Sequence, residues 1–207
     1  DACWTLNIEN TVSGEVEQLT CNYLCMCTGY YKYDKGYTPD FPGRDTFKGQ
    51  IIHPQHWPEN LDYTGKKVVI IGSGATAVTL LPAMTDKAAH VTMLQRSPTY
   101  IVTIPEKDPI ATGLRRFLPE KAVYRITRAK NVSLTLGFFN LAKKKPKPVR
   151  RLLLSLTRRQ LAGKVDMKHF TPSYNPWDER LCAVPDGDLF KVLRQGKASV
   201  VTDHIDT

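Results

Sequence analysis

The sequence predicts an α/β fold, a doubly wound parallel sheet with a helical insertion, and three observations carry that prediction. The first is a β-branched run, Val68-Val69-Ile70-Ile71, that breaks into a glycine-containing turn and then into a helix-forming segment. The second is a further strand-like run, His90-Val91-Thr92-Met93-Leu94, placed where a strand–helix–strand unit needs it. The third is a long region between 114 and 161 in which apolar residues recur at helical spacing. Short apolar strands that alternate with helices imply parallel pairing, because a crossover helix is the usual link between parallel neighbours.

Taken in order, residues 1–29 read as strands. Trp4, Leu6 and Ile8 alternate with polar residues, Ser13-Gly14-Glu15 turns the chain, and Gln18 to Met26 forms the partner strand. Residues 30–62 are rich in Pro, Gly, Tyr and Asp and read as an extended linker. After the unit at 63–104, Pro105 and Pro109 break the chain ahead of the helical region. Leu114, Phe117, Leu118, Val123, Ile126, Leu134, Phe138 and Leu141 mark one helical stretch, and Val149, Leu152, Leu153, Leu156 and Leu161 another. Residues 171–188 read as loop, Leu189 to Leu193 as a short helix, and Ala198 to Val201 as a last strand. The chain opens on Asp as if in mid-strand and stops at Thr207 directly after a strand, so both ends are expected to be cuts through a longer protein.

Length and composition bound the function. A chain of 207 residues holds one domain with a sizeable core, or one and a half. A hydrophobic content of 42% with 24% charged residues is that of a soluble protein, and no run of eighteen apolar residues exists to cross a membrane. Five cysteines, at 3, 21, 25, 27 and 182, do not make a disulfide framework. Cys21, Cys25 and Cys27 read as small core residues on one face of a strand in a reducing, cytoplasmic setting, and no metal centre is expected because a fourth ligand is missing nearby. The net charge of +9 is concentrated: 121–165 holds thirteen of the 29 Lys and Arg with no Asp or Glu.

The turn after Ile71 reads Gly72, Ser73, Gly74, Ala75, Thr76, Ala77, the pattern G-x-G-x-x-A. Gly72 permits a tight exit from the strand, Gly74 lets a pyrophosphate approach the backbone, and Ala77 lets the helix lie close to the sheet. The free N–H groups and the positive end of the helix dipole would hold the phosphates. This is a Rossmann-type dinucleotide site, with an ordinary strand–helix turn as the alternative. The second strand runs into Gln95, Arg96 and Ser97, where an NAD-binding unit would place a carboxylate for the ribose hydroxyls. A guanidinium and a hydroxyl suit a 2′-phosphate, so the reading is NADPH, with a plain exposed cation as the alternative for Arg96.

Upstream of that turn, Phe47, Gly49, His53, Trp57 and Pro58 spell F-x-G-x-x-x-H-x-x-x-W-P. With this spacing the chain resembles the flavin-dependent Baeyer–Villiger monooxygenases. The runs CNYLCMCTGYY, DFPGRDTFKGQIIHPQHWP, VVIIGSGATAVTLLPAM, HVTMLQRSPTYIV and FTPSYNPWDERLCAVPDGDLFKVLRQGKASVVTD resemble the ethionamide-activating branch of that family, and the likeness is least specific in 106–165.

The resemblance implies FAD and NADPH as cofactors. It also implies an FAD domain into which a smaller NADPH domain is inserted. On that plan 1–50 ends the first FAD segment, 51–105 is the NADPH-binding unit with its linker motif, 106–174 is a basic helical insertion, and 175–207 returns to the NADPH domain. The residues that hold FAD would lie mostly outside this chain. The implied chemistry inserts one atom of O2 beside the carbonyl of a small apolar ketone, or oxidises sulfur or nitrogen. By the resemblance Arg180 is the catalytic candidate, pairing with negative charge on the activated oxygen, and the alternative is a loop salt bridge with Asp178 or Glu179. His53 and Trp57 are expected to serve domain movement, or a purely structural role, rather than proton transfer.

Other functions stay open on the residues alone. One is a related N-oxygenating flavin monooxygenase. Another is a free-standing NADPH-binding module whose basic, acid-free 121–165 makes a weak peripheral contact with anionic membrane surface. Nucleic acid is not an expected partner, since no aromatic stacking platform stands out.

Overall fold

Strand alternation at the start of the chain produces an antiparallel hairpin, β1 (Trp4–Glu9) with β2 (Val16–Cys21), in the register Trp4↔Cys21 to Glu9↔Val16. Asn10 shapes its turn. Its Oδ1 accepts from the amides of Val12 (2.9 Å) and Ser13 (3.2 Å), and its carbonyl accepts from Gly14 N. The computed structural model describes residues 2–29 and 32–206; Asp1, Tyr30, Tyr31 and Thr207, which include both chain ends and the close of the first quoted run, lie outside the described residues. The described chain falls into two compact units, Asp1–Pro39 and Asp40–Thr207.

The first unit corrects the reading of the cysteines. β2 stops at Cys21 rather than Met26, Cys25 and Cys27 lie beyond it and are exposed, and Cys21 is only half-buried. A two-stranded ribbon has no second layer against which to bury a face. Trp4, Ile8, Val16 and Leu19 are accordingly exposed as well.

In the second unit the β-branched run forms β3 (Lys67–Ile71), the helix after the glycine turn is α1 (Ala75–Met84), and β4 (His90–Gln95) follows. Next come β5 (Tyr100–Ile104), α2 (Pro109–Leu114), α3 (Glu120–Lys144), α4 (Pro146–Leu161), β6 (Leu181–Pro185), α5 (Asp188–Arg194) and β7 (Ala198–Thr202). β3, β4 and β7 make a parallel sheet in that order, and β5 pairs parallel with β6 in the register Tyr100↔Leu181 to Ile104↔Pro185. The architecture is α/β with parallel sheets. β6 lies inside the stretch read as loop. It is five residues long and pairs with a strand 81 positions earlier, so no local pattern announces it.

The main core lies on one face of the three-stranded sheet. Val91 and Met93 of β4, both 0% exposed, meet Ala198 and Val200 of β7, Val78 and Leu81 of α1, and Leu189 and Phe190 of α5. Truncating a residue as enclosed as Leu81 to Ala would cost about 2–5 kcal/mol. The other face of that sheet leaves Val69, Ile71 and Val201 exposed. The β5–β6 ribbon is covered on both sides. Ile101, Cys182 and Val184 face the main core, whereas Tyr100, Val102 and Leu181 join a second cluster with Ala142 of α3 and Val149 and Leu153 of α4.

The helical region starts at an N-cap. Asp108 Oδ1 accepts from the amides of Ile110 (3.0 Å) and Ala111 (3.1 Å), Pro109 takes the first helical position, and the same carboxylate pairs with Lys130 of α3. α3 buries only Val123 and Ala142 along its twenty-five residues. α4 buries Val149, Leu153, Thr157 and Leu161, a regular i, i+4 stripe, and ends on Ala162 at φ 50°.

Candidate functional site

The glycine turn sits at the carboxyl end of β3, where ligands bind in open parallel sheets. Gly72 donates its N–H to the Leu94 carbonyl at 2.7 Å and takes φ 123°, a region that essentially only glycine occupies. Ser73 is 5% exposed and is tied down twice. Its Oγ lies 3.2 Å from Thr99 Oγ1, and its carbonyl accepts from the Cys182 thiol at 3.8 Å. The turn is therefore fastened to the start of β5 and to β6. Gly74 is the N-cap of α1, with ordinary φ −77° and ψ −178°. A Cβ built there would meet nothing within 4 Å, so the fold itself does not demand glycine. Ala75 and Thr76 are exposed at the start of the helix, no side chain caps it, and Ala77 is buried at 6%.

At the end of β4 the three expected ligand residues divide. Gln95 is 2% exposed, and its amide donates to the His169 carbonyl (2.7 Å) and to Thr202 Oγ1 (2.9 Å). Its side chain is spent inside the protein. Arg96 and Ser97 are exposed immediately after it. Gln95 thus braces the strand end that carries Arg96 and Ser97 outward. His169 completes the brace, with Nδ1 2.7 Å from Thr202 Oγ1, and burial holds its imidazole below the ordinary range.

Arg180 precedes β6 and is exposed. Its carbonyl accepts from the Tyr174 hydroxyl at 2.8 Å, and the Tyr174 carbonyl accepts from the Tyr100 hydroxyl at 2.7 Å. The salt bridge weighed for Arg180 does not form with Asp178, which pairs instead with Lys143 of α3 at 2.7 Å. Burial pushes the Cys182 thiol up, and the Arg180 cation pulls it the other way. Arg180 stands two residues before Cys182, the residue that touches Ser73.

The motif at 47–58 has a local logic. A Cβ on Gly49 would sit 2.5 Å from the Phe47 ring, so the glycine makes room for the aromatic two residues before it. His53 caps the short turn Pro54–His56, with Nδ1 accepting from the Gln55 amide at 3.2 Å. Trp57 is 40% exposed at the other end of that turn, and the Pro58 carbonyl accepts from Leu61 N. These contacts shape the segment and give His53 a structural task.

Sequence reasoning missed Thr99, Tyr174 and Trp177. Thr99 falls inside the unit at 63–104 and Tyr174 and Trp177 inside the stretch that reads as loop, and no periodic signal marks any of them. Among the described residues no group of three His, Cys, Asp or Glu comes together to hold a metal.

Comparison with known proteins bears on the family of the chain. The flavin-binding monooxygenase-like family (FMO-like) matches residues 5–114. The probable FAD-binding monooxygenase AlmA of Acinetobacter baylyi is 60% identical over 204 residues, covering 98% of this chain and 41% of that protein. The FAD-containing monooxygenase EthA of Mycobacterium tuberculosis is 55% identical over 205 residues, covering 98% of this chain and 42% of its own length. This chain thus spans about two fifths of the curated relatives it matches. Among solved structures, OTEMO in complex with FAD and NADP superposes with a TM-score of 0.64 at 19% identity, over 98% of this chain and 44% of that one. Over more than half of its length, from β1 into α2, this chain belongs to the flavin-binding monooxygenase-like family.

Proposed function

We propose that this chain is the NADPH-binding portion of an FAD-dependent monooxygenase that acts on small apolar ketones, with oxidation of sulfur or nitrogen as a further activity. The layout that goes with this reading assigns 1–50 to the FAD domain, 51–105 and 175–207 to the NADPH domain, and 106–174 to a helical insertion. The protein would work in the cytoplasm. The observation that carries the reading is the pairing of two features at one end of the sheet. Gly74 leaves open space at an uncapped helix N-terminus, and Arg96 and Ser97 stand exposed at the end of the neighbouring strand. The first suits a pyrophosphate and the second a 2′-phosphate.

The residues present fit NADPH. The backbone of 72–77 would take the pyrophosphate, Arg96 and Ser97 the adenosine phosphate, and Gln95 would hold the strand end in place. FAD, when bound, supplies hydride acceptance and the activation of O2. The Arg180 guanidinium would stabilise negative charge on oxygen. In the balanced reaction, NADPH, a proton, O2 and a ketone give NADP+, water and an ester or lactone.

The test is product analysis on the full-length protein. With 2-octanone, NADPH and isotopically heavy O2, the expected product is an ester carrying one heavy oxygen. A protein that consumes NADPH, leaves the ketone untouched and converts an amine to its N-oxide belongs to the N-oxygenating alternative.

A second reading concerns the surface of α3. Residues 131–142 carry no charge, and Val132, Leu134, Leu136 and Leu141 are 46–65% exposed. Arg125, Arg128, Lys144, Lys145 and Lys147 flank them. Apolar residues bordered by cations suit the surface of an anionic bilayer. No helix among the described residues is long and apolar enough to cross a membrane. Sedimentation with phosphatidylglycerol liposomes, lost at high salt and in Leu134→Glu, is the expected behaviour, and equal sedimentation with phosphatidylcholine counts against it.

A further inference from the structure

Trp177 is one of three non-glycine residues with positive φ among the described residues, at φ 69°. A tryptophan does not adopt that backbone without being held there, since the conformation costs about 1–3 kcal/mol. Its ring is held on two sides, edge-to-face with Phe138 (centroids 6.5 Å apart) and Phe139 (5.8 Å), both on α3. Its indole N–H is buried and has no hydrogen-bond partner among the described residues. The ring is thus seated for its shape rather than for a hydrogen bond.

The residues on either side are fastened too. Asp178 binds Lys143 of α3, and its amide donates to the Asn175 carbonyl at 3.0 Å. Lys143 also lies 6.0 Å from the centroid of the Phe139 ring. On the upstream side, Tyr100 holds Tyr174 by a hydrogen bond and by an edge-to-face contact at 5.3 Å, and Tyr174 holds the Arg180 carbonyl. The six residues from Asn175 to Arg180 are therefore pinned to α3 at Trp177 and Asp178, and to β5 through Tyr174. Arg180 is the last residue before β6 and carries no ion pair of its own among the described residues.

We propose that Trp177 and the Lys143–Asp178 ion pair are positioning residues that aim the Arg180 guanidinium. The basic helical segment 120–144 would then be a brace for the reacting site, a role distinct from its surface charge. The inference rests on the monooxygenase reading of Arg180, but the contacts themselves do not.

The experiment uses the full-length protein with FAD and NADPH, and 2-octanone as the probe ketone. Two quantities are measured. One is hydrogen exchange of amides 175–181 in the resting protein, without turnover. The other is hydrogen peroxide released per NADPH consumed, where the uncoupled reaction converts NADPH, a proton and O2 into NADP+ and H2O2. Asp178→Asn should speed exchange in 175–181 and raise the peroxide ratio roughly twofold to fivefold, in keeping with a half-exposed pair. Trp177→Gly, which keeps the backbone but loses the ring, should raise it about tenfold. Asp178→Lys should act like Asp178→Asn, and adding Lys143→Asp should restore both readouts. A merely destabilised protein would lose NADPH oxidation and product together and leave the ratio unchanged.

Arg180→Ala is the reference. If it raises the peroxide ratio while the Trp177 and Asp178 variants loosen the loop without moving that ratio, the positioning role is wrong and the monooxygenase reading stands. If Arg180→Ala leaves the ratio at the wild-type value, the role of Arg180 fails and the positioning role with it. Unchanged exchange in Asp178→Asn, the mildest variant, would show that the clamp does not exist.

Discussion

The Asp178 carboxylate lies 2.7 Å from Lys143, thirty-five residues earlier in the chain, and not against Arg180, its neighbour but one. Among the described residues that choice leaves the Arg180 guanidinium without a carboxylate partner, and it joins the loop before β6 to the long helix α3.

The pairing makes a pH prediction. The hydrogen bond from Lys143, and then that from Asn175, holds the Asp178 carboxyl below its ordinary value of 3.8. A depressed folded value means that the unfolded chain binds the proton more readily. The contribution is therefore complete above about pH 4 and is lost as the pH falls through the lowered folded value. Unfolding curves of wild type and Asp178→Asn should differ at pH 7 and converge toward pH 3. A constant difference across that range would contradict the pairing.

Gly72 and Gly74 should respond differently to alanine. Gly72 needs φ 123°, so Gly72→Ala should lower unfolding stability by about 1–3 kcal/mol. Gly74 has ordinary backbone angles and open space for a Cβ, so Gly74→Ala should cost about 1 kcal/mol or less as an N-cap change. The same Cβ would stand where the pyrophosphate approaches. NADPH titration of Gly74→Ala should therefore show a Kd raised about tenfold or more, or about 1.4 kcal/mol. Unaltered affinity would remove the phosphates from this turn.

Arg96 decides between the two nicotinamide dinucleotides. Loss of a charge-assisted hydrogen bond costs about 1.5–3 kcal/mol. Arg96→Ala should thus weaken NADPH about ten- to hundredfold and leave NADH nearly unchanged. Equal loss for both dinucleotides would place the 2′-phosphate elsewhere.

The brace beneath Arg96 should be acid-sensitive. Burial, and next the Lys168 cation, holds the His169 imidazole below 6.5, with Asp166 acting the other way. The folded protein resists protonation that the unfolded chain accepts, so stability is complete above about pH 6.5 and falls as the pH drops through the lowered folded value. Melting temperatures from pH 7.5 to pH 5 should decline in wild type, and the decline should be shallower in His169→Gln. Parallel curves would show that His169 does not titrate in this window.

Much of the frame could be read locally. Strand β3, the turn at 72–77, helix α1 and strand β4 follow from a β-branched run, small residues at set positions and a return to apolar alternation. α5 and β7 are likewise close to their expected bounds. The cysteines at 25 and 27 defeated the same reasoning, because an apolar run says that a residue can be buried but not that a second layer is there to bury it. At the site, exposure of Arg96 followed from the strand ending, whereas the inward turn of Gln95 depended on Thr202 and His169, over seventy residues away.

By itself the chain's order of residues determined the strand–turn–helix unit, the parallel α/β class and the chemical character of the turn, since each depends on neighbours a few positions apart. Only the tertiary structure decided that β6 exists beside β5, that Lys143 takes Asp178, and that Trp177 is wedged against α3. Those contacts join residues 35 to 81 positions apart. Their partners are selected by which surfaces the packed core brings together, and that selection leaves no mark in any local stretch of sequence.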